Sequence, residues 1–162
     1  MKLGEGVEWA VHSCTVLALL PPTMALPAAR LAEFHEVPPA YLAKHLQQLS
    51  AAGITESATG RKGGYRLARR PEQITVLEIV EAVEGRDRAF RCTEIRQRGP
   101  AAVDRSTYSP VCGIAKVMHQ AEAAWRRELR AHTLDDVLRS MRREVTPEAA
   151  TKAVRWFQEV LP

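Results

Sequence analysis

The sequence predicts a mainly α protein: a winged helix-turn-helix DNA-binding domain with a long C-terminal dimerisation helix. Three observations carry this. Two apolar-striped segments separated by a tight break cross residues 27–53. A candidate hairpin with a glycine-rich, cationic tip follows directly. A long amphipathic stretch starts at Cys112. Short helix, tight turn, longer helix is the helix-turn-helix pattern, and a basic hairpin after it makes a wing.

The elements follow in order. Val7–Leu20 is apolar at Val7, Val11, Cys14, Leu17 and Leu20, a spacing of three and four that predicts a buried helix. Pro21 and Pro22 stop it. Pro27 suits a first helical position, and Ala28–Phe34 follows with Leu31 and Phe34 inward. After His35-Glu36-Val37, Pro38 or Pro39 opens a helix to about Ala52, with Leu42, Leu46 and Leu49 on one face and Gly53 as its C-terminal glycine. Ile54–Ala58 and Tyr65–Leu67 read as two strands around Thr59–Gly64. Thr75–Glu84 is a further helix, ended by Gly85. Residues 86–111 lose periodicity, and loops of that length are usually functional or disordered. From Cys112 to about Ala131, Ile114, Val117, Met118, Ala121, Trp125 and Leu129 stand in helical register, as a dimer element would. Thr146 and Pro147 open a last helix, expected to pack on the dimer helix or to bind another partner. The expected divisions are 1–85 for DNA binding, 86–111 as the aperiodic loop, 112–140 for dimerisation and 141–162 as a helical extension.

Composition narrows the class. The chain has 162 residues, 46% hydrophobic and 26% charged, enough apolar side chain for one core. No stretch approaches the roughly 18 apolar residues of a membrane span. Glu5, Glu8 and His12 interrupt the first 20 residues, so no apolar export core forms and the expected compartment is the cytoplasm. Net charge is +4, but residues 1–85 carry 8 Lys/Arg against 9 Asp/Glu. Within that half, Arg61, Lys62, Arg66, Arg69 and Arg70 crowd the hairpin, a pattern that suits phosphate contact or a solvated loop. Coincidence with a wing favours double-stranded DNA. Because Leu42, Leu46 and Leu49 face the core, Pro39, Ala40, Lys44, Gln47 and Gln48 lie toward DNA, with Arg61 and Lys62 at the wing tip. No phosphate loop or nucleophile motif points to an enzyme.

Three cysteines are too few for a disulfide scaffold. Cys92 and Cys112 bracket the aperiodic loop, while Cys14 stands in the apolar register of the first helix and reads as a core residue. Two thiols make an incomplete metal site. Glu8 and His12, at i and i+4, share one helix face and either converge on an ion or form a surface pair. His119, two turns beyond Cys112, is a rival ligand. Trp9 beside Glu8 either shields a bound group or packs an interface.

The segments Tyr41-Leu42-Ala43-Lys44, Leu49–Ile54, Gly60–Ala68, Ile74–Gly85 and Thr133–Val137 together resemble the winged-helix iron–sulfur regulators that include IscR and NsrR. The likeness covers about 1–138. Most cluster-binding members carry three closely spaced loop cysteines, and this chain has two. Glu8–His12 and Cys92–Pro100 resemble the RsrR-type branch from actinobacteria. That resemblance implies a [2Fe–2S] cluster held by Cys92 and Cys112 of one subunit and by Glu8 and His12 of its homodimer partner, in a redox-sensing repressor with 86–111 as its cluster-binding loop. Thr59 stands where many members place an arginine, leaving that role to Arg61 or Lys62. The implied ligand set is less negative than four thiolates, so the expected potential lies above the roughly −400 mV of all-cysteine plant-type clusters. Alternatives are a cluster-free regulator with a Cys92/Cys112 thiol switch, a nitric-oxide-sensing cluster repressor, a zinc-structured regulator and an iron–sulfur carrier.

Overall fold

The computed structural model describes residues 3–60, 63–107 and 112–161. Its elements are α1 (Glu5–Ala18), α2 (Ala28–His35), α3 (Pro39–Ala51), β1 (Thr55–Ala58), β2 (Gly64–Leu67), α4 (Val76–Glu84), α5 (Gly113–Ala131), α6 (Leu134–Glu144) and α7 (Pro147–Val160). Mainly helical with a two-stranded wing, it is the fold the sequence predicts.

α1 is the hub, packing against α2, α3, α4, α6 and β2. Its buried face holds Val7, Ala10, Cys14 and Leu17. The turn between α2 and α3 places Glu36 in the left-handed region (φ 52°), where its amide and that of Val37 close the end of α2 on Glu33 and Ala32 carbonyls. Leu42, Leu46 and Leu49 of α3 are fully buried, as their spacing predicts. Each such leucine contributes about 1.5–3 kcal/mol relative to exposure. Gly53 (φ 68°) ends α3 and turns the chain into the wing.

The wing is antiparallel, pairing Thr55 with Leu67 and Ala58 with Gly64. A third strand-like contact seats it on the domain: Leu26 and Tyr65 exchange backbone hydrogen bonds of 2.9 and 2.8 Å. Gly64 faces that seat, and a Cβ there would lie 2.3 Å from the Leu26 carbonyl carbon.

α4 starts with a capping box between Thr75 and Glu78. Between α4 and α5, 3-10 turns form at Ile95–Gln97 and Arg105–Thr107. α5 packs on α4 through Arg126, which pairs with Glu81. The 112–140 segment is two helices. α5 ends at Ala131, and a second capping box, Thr133 with Asp136, starts α6. Bonds from Val76 to His132 and from Leu134 to Ile74 tie that corner to the start of α4 (2.9 and 2.8 Å). α7 departs from expectation. Its Trp156 and Phe157 pack on Phe34 of α2 rather than on α5. The half-buried Phe34 gives an aromatic pair a receptor, whereas the start of α5 keeps its apolar residues exposed.

Candidate functional site

The recognition face is built by α3. Its core stripe turns Pro39, Ala40, Lys44 and Gln47 to the surface, where the sequence places them. Tyr41 joins them at 64% exposure. Tyr41 is an aromatic lying off the Leu42–Leu46–Leu49 stripe. Gln48 is half-buried beside this face. Its carboxamide oxygen meets His45 Nδ1 at 2.9 Å and its nitrogen donates to the Val83 carbonyl at 3.4 Å, so the side chain joins α3 to α4.

The basic patch is narrower than its composition. Arg66 pairs with Glu56, its cross-strand partner, at 2.6 Å. Arg69 donates to the Gly53 and Gln73 carbonyls and to Glu78. Arg70 lies 3.8 Å from Glu72. Arg69 thus braces the base of the wing, while Arg66 and Arg70 make exposed ion pairs. Arg61 and Lys62, the expected wing-tip contacts, lie outside the described residues.

The candidate ligands come from two parts of the chain, α1 and the segment before α5. Glu8 and His12 are exposed one turn apart on α1. Cys92 is exposed and Cys112, just before α5, half-buried, with Arg96 near both. Among the described residues, no three His, Cys, Asp or Glu side chains converge to hold a metal ion. The chain therefore does not bring Glu8 and His12 to its own cysteines.

The two cysteines have different local surroundings. The Cys112 thiol is held below its ordinary range by the backbone amides of Ala115 and Ile114 at the start of α5, with Arg96 adding to the effect. Cys92 Sγ donates to Glu94 Oε1 at 3.7 Å, and Glu94 grips Arg96 at 2.8 and 3.2 Å. The Arg96 hydrogen bonds hold the Glu94 carboxyl below the usual range. Cys14 is the opposite case: fully buried, its thiol is pushed up to about 12 by loss of solvent. His119, the rival ligand, packs its ring on Phe90.

Iodoacetamide at neutral pH should label Cys112 in the folded apo-protein and leave Cys14 unmodified until unfolding. A lowered pKa leaves more thiolate at a given pH, so labelling of Cys112 should fall only as pH drops through that lowered value. Peptide mass spectrometry reads both sites, and comparable labelling of Cys14 in folded protein would contradict this.

α1 also touches the reading helix. Trp9 meets the His45 ring of α3 edge-on at 6.1 Å. Gly6 gives that ring room, since a Cβ there would lie 2.5 Å from His45 Cε1 and Nε2. Trp9 is therefore an α1–α3 packing residue. On the other side, the His12 ring meets His35 of α2 at 5.8 Å. Burial lowers the pKa of His35, and the nearby His12 lowers it further.

A helix-turn-helix with an exposed second helix and a seated wing defines the class: a DNA-binding winged-helix protein. The comparisons with known proteins specify it. Residues 3–140 match the Rrf2 model, described as an iron-dependent transcriptional regulator, and the chain belongs to this family. The HTH-type transcriptional regulator NsrR of Halalkalibacterium halodurans is 28% identical over 138 residues, covering 85% of this chain and 90% of that protein. Two solved structures share the fold. IscR of T. potens superposes with a TM-score of 0.64 at 21% identity, covering 87% of this chain and 88% of that one. CymR, the global cysteine regulator of B. subtilis, gives 0.62 at 21%, covering 86% and 98%. The chain is an Rrf2-type transcriptional regulator. Among the described residues, no helix is long and apolar enough to cross a membrane.

Proposed function

We propose that the protein is a cytoplasmic homodimeric repressor that senses redox state through a [2Fe–2S] cluster shared between subunits. Cys92 and Cys112 of one subunit and Glu8 and His12 of the other hold the cluster. One observation carries the reading: two donor pairs stand on α1 and before α5, and among the described residues no three donors of one chain come together to hold a metal. A second copy completes both. The apolar side chains beside Cys112 support that copy, with Ile114 68%, Val117 63% and Met118 43% exposed on α5.

The donor set fits the group: a thiol biased toward thiolate, a second exposed thiol, a carboxylate and an imidazole. When bound, the cluster supplies a one-electron centre that bridges the subunits. The chain's own part is to couple α1 to DNA. Glu8 and His12 sit on the helix whose Gly6 and Trp9 seat His45 of α3, so a shift of α1 reaches the recognition helix. On DNA, Lys44, Tyr41 and Gln47, with Pro39 and Ala40, meet the major groove, and Arg61 and Lys62 meet the backbone or minor groove. Residues 1–85 form the reading head, 86–111 the cluster loop and 112–140 the dimer element.

Anaerobic purification followed by iron and sulfide analysis tests the reading, together with gel shifts of oxidised, reduced and apo-protein. We expect a coloured dimer whose oxidised form binds operator DNA more tightly than the reduced and apo forms. Equal affinity in all three states would remove the sensing role. The lowered Cys112 pKa and exposed Cys92 favour a thiol switch as second reading, and a colourless anaerobic preparation would select it.

A further inference from the structure

α7 lies beyond the residues that match the family, yet it meets the helix-turn-helix. Two consecutive residues make the contact. The Phe157 ring stacks on Phe34 at 5.5 Å, inclined by 20°, and Trp156 meets the same ring at 4.9 Å. Trp156 and Phe157 also brace each other edge-on at 5.3 Å. Val160 and Leu161 pack against the core beyond them. α7 is thus seated rather than trailing.

The contact continues inward. Phe34 meets His35 edge-on at 5.1 Å, and His35 meets His12 at 5.8 Å. Rings from three helices therefore form an unbroken series from α7 to a candidate cluster ligand on α1. The buried Nε2 of His35 has no hydrogen-bond partner among the described residues. With no bond at that atom, ring packing sets the orientation of this imidazole. α2 has eight residues, and a helix so short depends on tertiary packing to hold its form.

We propose that Trp156 and Phe157 are positioning residues for His12: α7 clamps Phe34, and Phe34 with His35 fixes the ring that His12 rests on. The inference rests on the reading of His12 as a cluster ligand. It extends the sensing unit from residues 3–140 to the extension. Outer partners of a metal-bound histidine set its orientation, and their loss typically weakens binding about 10–100-fold.

The test uses full-length protein carrying Trp156→Ala and Phe157→Ala together, with Trp156→Phe as the conservative variant. In the apo-protein, NMR signals of the His12 and His35 rings should shift in the double variant while circular dichroism keeps its helical signature. In loaded protein, the double variant should lose iron to a chelator about tenfold faster. The spectrum of its reduced cluster should change as well. Trp156→Phe should restore both. Unchanged ring signals in the double variant would overturn the clamp. Shifted rings with wild-type iron release and an unchanged spectrum would overturn its role in positioning the ligand. Wild-type protein purified without iron or sulfide would overturn the cluster reading instead, so the two failures are distinguishable.

Discussion

Replacing Gly64 with alanine is expected to destabilise the protein by about 2–4 kcal/mol and to abolish tight operator binding. The new Cβ would lie 2.3 Å from the Leu26 carbonyl carbon, 2.4 Å from its oxygen and 2.6 Å from Pro27 nitrogen. All three are backbone atoms, so no side chain can swing aside. The strand must lift, which strains or breaks the two hydrogen bonds between Leu26 and Tyr65. Loss equivalent to one of these bonds costs about 1 kcal/mol net, and overpacking adds about 1–3. For a chain of this size the melting temperature should fall by roughly 5–15 °C. The wing tip then loses its position relative to α3, so DNA affinity should fall even where the protein is folded. Gly113→Ala is the control, because nothing lies within 4 Å of its Cβ position. Calorimetry reads the first effect and a gel shift the second; a melting temperature unchanged in Gly64→Ala would refute the seating argument.

Splitting the ligands between subunits should give an equally large effect. A variant with Cys92→Ala and Cys112→Ala, and another with Glu8→Ala and His12→Ala, should each lose the cluster. Co-expressed, they should regain it in part. In the mixed dimer, one site receives both cysteines from one chain and Glu8 and His12 from the other, while the second site receives nothing. Random pairing makes half the dimers mixed, so about a quarter of the wild-type iron should return. If all four ligands came from one chain, no mixed dimer would hold a complete site. Iron and sulfide analysis of the separated mixed dimer decides between these outcomes.

Local chemistry explains which parts of the molecule were readable beforehand. The helix-turn-helix was legible because Leu42, Leu46 and Leu49 repeat at helical spacing and Gly53 marks the end of their helix. The wing was legible from its glycines. Its arginines were misleading, since Arg66 faces Glu56 only once the strand register is known. Gln48 sits at the edge of the core face, where long-range packing on Val83 decides its direction. The long helix was legible to its end at Ala131, but α6 was not separated from it within 112–140, although Thr133 and Asp136 spell the capping box that starts it. The α7 contact with Phe34 joins residues more than 100 positions apart, which periodicity cannot match. The donor pairs at Glu8/His12 and Cys92/Cys112 were visible singly. Their separation within one chain is a property of the fold alone.

The close fit of Gly6 against His45 also constrains how this regulator can diversify. A side chain at position 6 would displace an imidazole that is bonded to Gln48 and braced by Trp9. A larger residue at position 6 therefore requires the position 45 ring to swing aside or a smaller residue there. Descendants that acquire new operators should keep this joint and draw their variation from the open positions 40, 41, 44 and 47. Operator preference would then drift while the linkage between sensor and reader is inherited intact.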